Sequence, residues 1–276
     1  MPADKVSLTQ AVRGNLLTLQ RTATTIDQTQ TRLSTGLKVN SAIDDAAAFF
    51  TARALDNRAS DLDSLKSNID LAISTIQAAL DGIDAITDLV QQAKGLASNA
   101  KATGDTNERS TLAVQFNELL SQIDSIANDS TFNGINLLQA SPDNLDVVFN
   151  EDNTSNLTIT GLDTTTASTG INLGVAGNNF GANANIDTAL TAISTALVTL
   201  RGNASTMGSS NTILKTRLDF TQNLVNTLEG GSGKLTLADL NEESANLLAL
   251  QTRQQLGLNS LSLAAQSERA ILSLFG

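Results

Sequence analysis

A chain of 276 residues with net charge −11, no histidine and no cysteine lacks the groups most active sites are built from. Imidazole bases, Ser-His-Asp and Cys-His nucleophile systems and the usual zinc ligand sets are all excluded. Aromatics are only 3%, with no Trp and no Tyr, so the stacking platforms and basic patches of nucleic-acid binders are missing too.

The N-terminal segment MPADKVSLTQAVRGNLLTLQ holds no continuous apolar run of the kind found in a cleaved signal peptide. No apolar stretch approaches the length of a membrane span. The two prolines, Pro2 and Pro142, leave long helices unbroken elsewhere. The expectation is an acidic, soluble chain without membrane insertion and without a nucleic-acid partner.

In chain order, Leu8, Val12, Leu16, Leu19, Ala23, Ile26 and Leu33 recur at steps of three and four, with Gln30 in the missing slot, and predict a first amphipathic helix. A second stripe runs Leu62, Leu65, Ile69, Ile73, Ile76, Leu80, Ile83 and Val90. The third, Leu112, Phe116, Leu119, Ile123 and Ile126, is opened by Asp105 with Glu108, a capping-box pair just after Gly104. Short β-branched segments then follow: LDVVF (145–149), LTIT (157–160) and INLGV (171–175) read as strands, with NEDNTSN as a hairpin loop. From Ile186 to Leu228 the apolar positions keep a 3.5-residue repeat for about six heptads, with Asn211 and Thr221 in two of the slots. EGGSGK (229–234) reads as a turn, and Thr236 with Asp239 as the cap of a last helix carrying Leu247, Leu250, Leu258, Leu261, Ala265 and Leu272.

These elements predict a mainly α fold: an elongated antiparallel coiled-coil bundle built from both chain ends, with a small β-hairpin insert at about 134–184. The terminal coiled coil takes residues 1–43 and 235–276, and the helical bundle with its insert takes 44–234. The terminal stripes run almost to the last residue, a pattern that fits self-association and a monomeric bundle with paired termini equally well.

Asp44 and Asp45, within RLSTGLKVNSAIDDAAAFF (32–50), are the most conspicuous acidic pair. As neighbours on a helix they point to different azimuths, unlike the facing carboxylates of a glycosidase. With Asn40 and Ser41 they suit a helix N-terminus, where backbone N–H groups favour anions. The loop at Glu151 and Asp152 does not follow the order of a calcium-binding loop. Gln251, Gln254 and Gln255 fit a recognition face, a solvated surface or a polar layer that sets coiled-coil register. No catalytic group, metal site or cofactor is expected.

QTRLSTGLKVNSAIDDAAAFFTARAL (30–55) resembles the signature of bacterial flagellin, approximately R-L-S-S-G-x-R-I-N-S-A-x-D-D-A-A. The likeness continues through 73–100 and 107–138 and, with weaker letters, from 186 to SLFG. The resemblance implies a non-enzymatic filament subunit for swimming motility, exported by the flagellar type III apparatus and located in the extracellular flagellum. Its partners would be further copies of itself, an export chaperone, the filament cap and junction proteins. Arg32, Leu33, Gly36, Asn40, Asp44 and Asp45 would form the spoke between inner coiled coil and outer bundle. Leu8, Val12, Leu16, Leu19 and Ile26 would meet Leu247, Leu250, Leu258, Leu261 and Leu272 in the coiled coil.

The short insert marks a minimal form of the family. LVQQAKGLA (89–97) places Gln92 and Gly95 where receptor-activating relatives carry Arg and Glu, which implies weak activation of the flagellin-sensing Toll-like receptor. The hook–filament junction protein is the nearest alternative, although SAIDDAAA lacks the proline usual near its Asp pair. A secreted helical adhesin or translocator would share the periodicity but not the residues at 32–50.

Overall fold

The computed structural model describes residues 10–275, apart from the side chains of residues 11, 268 and 271–275. Five long helices dominate: α1 (Gln10–Thr35), α2 (Ala46–Ala102), α3 (Thr106–Asp129), α4 (Asn183–Thr236) and α5 (Leu240–Phe275). Between α3 and α4 lie β1 (Thr131–Phe132), β2 (Ile135–Asn136), β3 (Leu145–Val148) and β4 (Asn156–Ile159). β1 pairs antiparallel with β2, and β3 with β4. The chain divides into two compact units, Met1–Asn57 with Leu228–Gly276, and Arg58–Thr227.

The Arg58–Thr227 unit is organised by heptads. On α2, Ile69, Ile76, Ile83, Val90 and Ala97 are buried every seventh residue, and Ala72, Ala79, Ile86, Ala93 and Ala100 follow each by three. Alanine in half of these positions lets neighbouring elements approach closely. α3 buries Ala113, Phe116, Leu120, Ile123 and Ala127 in the same rhythm. α4 buries Ile186, Ile193, Leu200, Met207 and Leu214 at strict seven-residue spacing, as its repeat predicts.

The insert hangs on this core. In β3 and β4, Leu145, Val147 and Ile159 face inward, with Leu145 opposite Ile159. The hairpin loop closes through Phe149 N–H donating to Ser155 O at 2.8 Å. The Arg217 guanidinium stacks 4.9 Å from the Phe149 ring centroid, and Arg58 Nε donates to Glu151 Oε1 at 2.9 Å, so the hairpin is tied to both α4 and α2. Further on, Asn178, Asn179 and Phe180 all take positive φ, a conformation unfavourable for a bulky residue. It is offset by complete burial of Phe180, edge-on to Phe116 at 5.3 Å between centroids.

Four expectations are corrected. INLGV (171–175) is not a strand: Ile171 and Leu173 are buried, but their N–H groups donate to Thr165 O and Thr166 O of the preceding turn. An alternating burial pattern therefore arises without a ladder partner. EGGSGK (229–234) is not a turn but the end of the 54-residue helix α4. Its glycines disfavour helix by about 1 kcal/mol each, and burial of Val225, Leu228 and Ser232 in continuing heptad slots outweighs this. Asp239 alone caps α5, its Oδ1 accepting from Asn241 N at 2.9 Å, whereas the Thr236 hydroxyl donates back to Ser232 O inside α4. Asp105 does cap α3 by accepting from Asn107 N at 2.8 Å, but Glu108 accepts from the Thr103 hydroxyl instead of the cap backbone.

Candidate assembly interface

The terminal unit is an antiparallel pair in which α1 packs along α5. On α1 the seam reads Val12, Asn15, Leu19, Thr22, Ile26, Thr29 and Leu33, alternating steps of three and four, with Val12, Thr22, Ile26 and Thr29 buried and the others half-buried. On α5 the seam is Glu243, Leu247, Leu250, Gln254, Gly257, Leu261 and Ala264. Small or hydroxylated residues, Thr22, Thr29, Gly257 and Ala264, hold four of these positions. The buried Thr22 hydroxyl donates to Thr18 O at 2.9 Å.

Of the residues assigned to the coiled coil, Val12, Leu19, Ile26, Leu247, Leu250 and Leu261 lie on the seam, and so does Leu33. Leu16 and Leu258 do not: they are 39% and 49% exposed, one step round the helix from the true seam. Leu8 lies outside the described residues, and so does the side chain of Leu272. The reading by leucines alone passed over Thr22, Thr29, Gln254 and Gly257. A strict three–four count from Val12 and Leu33 would have found the two threonines. The outer face left by this arrangement carries Leu16, Leu17, Leu248, Leu256, Leu258 and Leu263, all exposed.

The α1–α2 turn lies at one end of the pair. α1 ends where Gly36, at φ +73°, turns out of the helix while its N–H donates to Arg32 O, a left-handed cap that disfavours other residues. The turn is clasped to the α4–α5 junction: Lys38 N donates to Thr236 O at 2.7 Å and Ala238 N to Gly36 O at 2.9 Å. Arg32 Nη1 meets the buried Glu243 Oε1 at 3.0 Å. One residue each from α1 and α5 thus fixes the pairing register electrostatically as well as sterically.

The Asp pair divides its labour. Asp44 Oδ2 accepts from Asn40 N, Ser41 N and Ser41 Oγ at 2.9–3.1 Å. These bonds, the Ser41 hydroxyl foremost, with help from the Arg32 charge, hold its carboxyl below its usual pKa. Asp45 Oδ1 accepts from Ala48 N at 3.0 Å and caps α2. The pair organises a turn and starts a helix. Beside it Ile43 projects with 96% of its surface exposed, and an open cleft of about 500 Å³ separates the turn from the flank of α1.

In the other unit, Gln92 and Gly95 are exposed on α2. They line a shallow groove shared with Gln115 and Glu118 of α3. Among the described residues no cluster of acidic groups could hold a metal ion, and no helix is long and apolar enough to cross a membrane.

Comparison with known proteins gives this geometry a family. The bacterial flagellin N-terminal helical region matches residues 6–143, and the C-terminal helical region matches residues 185–275. Flagellin FljM of Caulobacter vibrioides is 36% identical over 269 residues, covering 95% of this chain and 96% of the relative. The flagellin of Brucella melitensis is 30% identical over 270 residues, covering 94% and 95%. The crystal structure of Bacillus cereus flagellin shares the fold with a TM-score of 0.50 at 21% identity, over 56% of this chain and 88% of that one. The chain belongs to the bacterial flagellin family, the structural subunits of the flagellar filament.

Proposed function

We propose that this chain polymerises with copies of itself into a helical tube in which the terminal segments, residues 1–43 and 235–276, form the inner coiled coil and residues 44–234 the surrounding layer. The observation that carries the reading is the leucine-rich outer face of the α1–α5 pair. Its seam is already filled, yet Leu16, Leu17, Leu248, Leu256, Leu258 and Leu263 remain in water. A face of this extent is favourable only when another surface covers it. A contact between two different patches repeats without closing and yields an open polymer. In this reading the turn of Arg32, Leu33, Gly36, Asn40, Asp44 and Asp45 is the spoke that sets where the coiled coil ends.

Export through the flagellar secretion apparatus, a chaperone for the C-terminal helix, and contacts with cap and junction proteins follow as finer parts of the same proposal. The role is structural, with no cofactor. Purified chain added to sonicated filament fragments should extend them into long tubes, read by pelleting and electron microscopy. Seeds that are capped without extension would instead indicate a junction subunit, and no binding would overturn the reading. Gln92 and Gly95 offer neither a guanidinium nor a carboxylate at the groove they line, so we also propose weak activation of the flagellin-sensing Toll-like receptor. A strong reporter response to monomer would refute that.

A further inference from the structure

The charge of this chain is unevenly placed. Residues 58–227 hold eight Lys and Arg against eighteen Asp and Glu, a net of −10, while the rest of the chain is nearly balanced at −1. Copies brought side by side through this unit repel one another until salt screens them. An interface in such a unit needs a local exception.

One exists between α2 and α4. Lys94 and Arg201, with Gln91, Ser98 and Leu197, line an open cleft of about 470 Å³ that has no carboxylate in its wall. Neither cation makes an ion pair among the described residues. Two cations held side by side and unneutralised, within a unit of net −10, form a receptor for carboxylates or another anion.

The complementary surface lies on the same helix. Asp63, Asp70, Gln77, Asp84 and Gln91 follow one another at seven-residue spacing along α2, all exposed. Asp70 and Asp84 make no ion pair among the described residues. The line of carboxylates thus runs directly into the basic cleft at Gln91. At 1.5 Å per residue, Lys94 lies about 15 Å beyond Asp84 and about 36 Å beyond Asp70. A copy displaced along the α2 axis by about 15 Å brings its Asp84 opposite the cleft, and one displaced by about 36 Å brings its Asp70 there.

We propose that the Lys94–Arg201 cleft receives the Asp70–Asp84 line of a second copy, a heterologous contact that sets the axial stagger between neighbouring subunits. Donor and acceptor are different patches, so each copy can give one contact and receive another. The pairing also selects against the unstaggered arrangement, which sets Asp against Asp.

This inference rests on the polymerisation proposed above, and a charge-reversal series separates the two. Wild type, K94E/R201E, D70K/D84K and the fourfold variant are added to wild-type seeds and to seeds of their own kind. Circular dichroism and thermal melting of each monomer establish that the helices are intact. Each double reversal should raise the critical concentration for elongation by about tenfold or more, since like charges then face each other. The fourfold variant should recover growth on its own seeds. Normal elongation by K94E/R201E would overturn the inference while leaving polymerisation standing. Loss in both double variants without recovery in the fourfold variant would also overturn it, because the acidic partner would be wrong. Failure of wild type itself to elongate seeds overturns both.

Discussion

Leu19 occupies the space that a side chain at Gly257 would fill: a Cβ built on Gly257 comes within 2.8 Å of Leu19 Cδ2 and 3.2 Å of its Cγ. The α1–α5 pair is therefore closed at one level by a knob from one helix and an absence in the other. Gly257→Val should force the helices apart or drive Leu19 from its rotamer, at a cost of about 1–3 kcal/mol. Leu19→Ala should restore part of the loss when combined with it. A double-mutant cycle on thermal unfolding of assembled filaments checks this. Additive effects would show that the two positions do not touch.

Asn136 is the hub of the insert. Its Nδ2 donates to Ala127 O, Asn128 O and Thr131 Oγ1, while its Oδ1 accepts from Leu138 N and Gln139 N. It thereby closes the end of α3 and fixes the turn that follows β2. Asn136→Ala leaves buried donors and acceptors without partners and should cost about 2–4 kcal/mol. Asn136→Asp should be no milder, since it turns an oxygen toward two carbonyls. Urea unfolding of the monomer reads both, and a loss below 1 kcal/mol would contradict this role.

The acid response of the α1–α2 turn follows from Asp44. Its folded pKa lies below the ordinary value because the ionised form accepts three hydrogen bonds. The contribution is therefore fully present at neutral pH, above the unfolded value. It is lost only as pH falls through the lower, folded one. Asp44→Asn should remove this dependence. Amide exchange at Asn40 and Ser41, corrected for intrinsic rates, should show protection that disappears in acid for wild type and is already reduced and flat for Asp44→Asn. Equal profiles would sink the assignment.

How much of this could be read from the chain depended on what kind of residue marked each position. The α4 register was legible because apolar side chains occupy nearly every slot from Ile186 to Leu228. The α1 seam was not, because Thr22 and Thr29 hold buried slots that hydropathy assigns to the surface. The Thr22 hydroxyl is spent on a carbonyl of its own helix, so its methyl group is what packs. The end of α4 was misplaced because three glycines suggest a turn wherever burial is not known. Asn136 looked like loop composition, and its function exists only once α3, β1 and β2 meet around it. Lys94 and Arg201, 107 positions apart, share a cleft only in the folded bundle.

At Asn211, in the α4 seam, packing and polarity disagree. It lies between Met207 and Leu214, is 9% exposed, and its Oδ1 is buried without a hydrogen-bond partner. An unpartnered buried oxygen costs about 1–3 kcal/mol, and the surrounding stretch RGNASTMGSSNT is rich in weak helix formers. Asn211→Leu, which keeps the γ-branched shape while replacing the amide with methyl groups, should therefore raise monomer stability by about 1 kcal/mol or more, seen as a higher urea midpoint at unchanged slope. Asn211→Asp should lower it, because a carboxylate buried in the seam loses its hydration. The leucine variant should also tolerate more heptad shifts, since the polar group that disfavours them is gone. A leucine variant less stable than wild type would mean that Asn211 is satisfied in solution, and that the seam is better adapted at this level than its hydrogen bonding suggests.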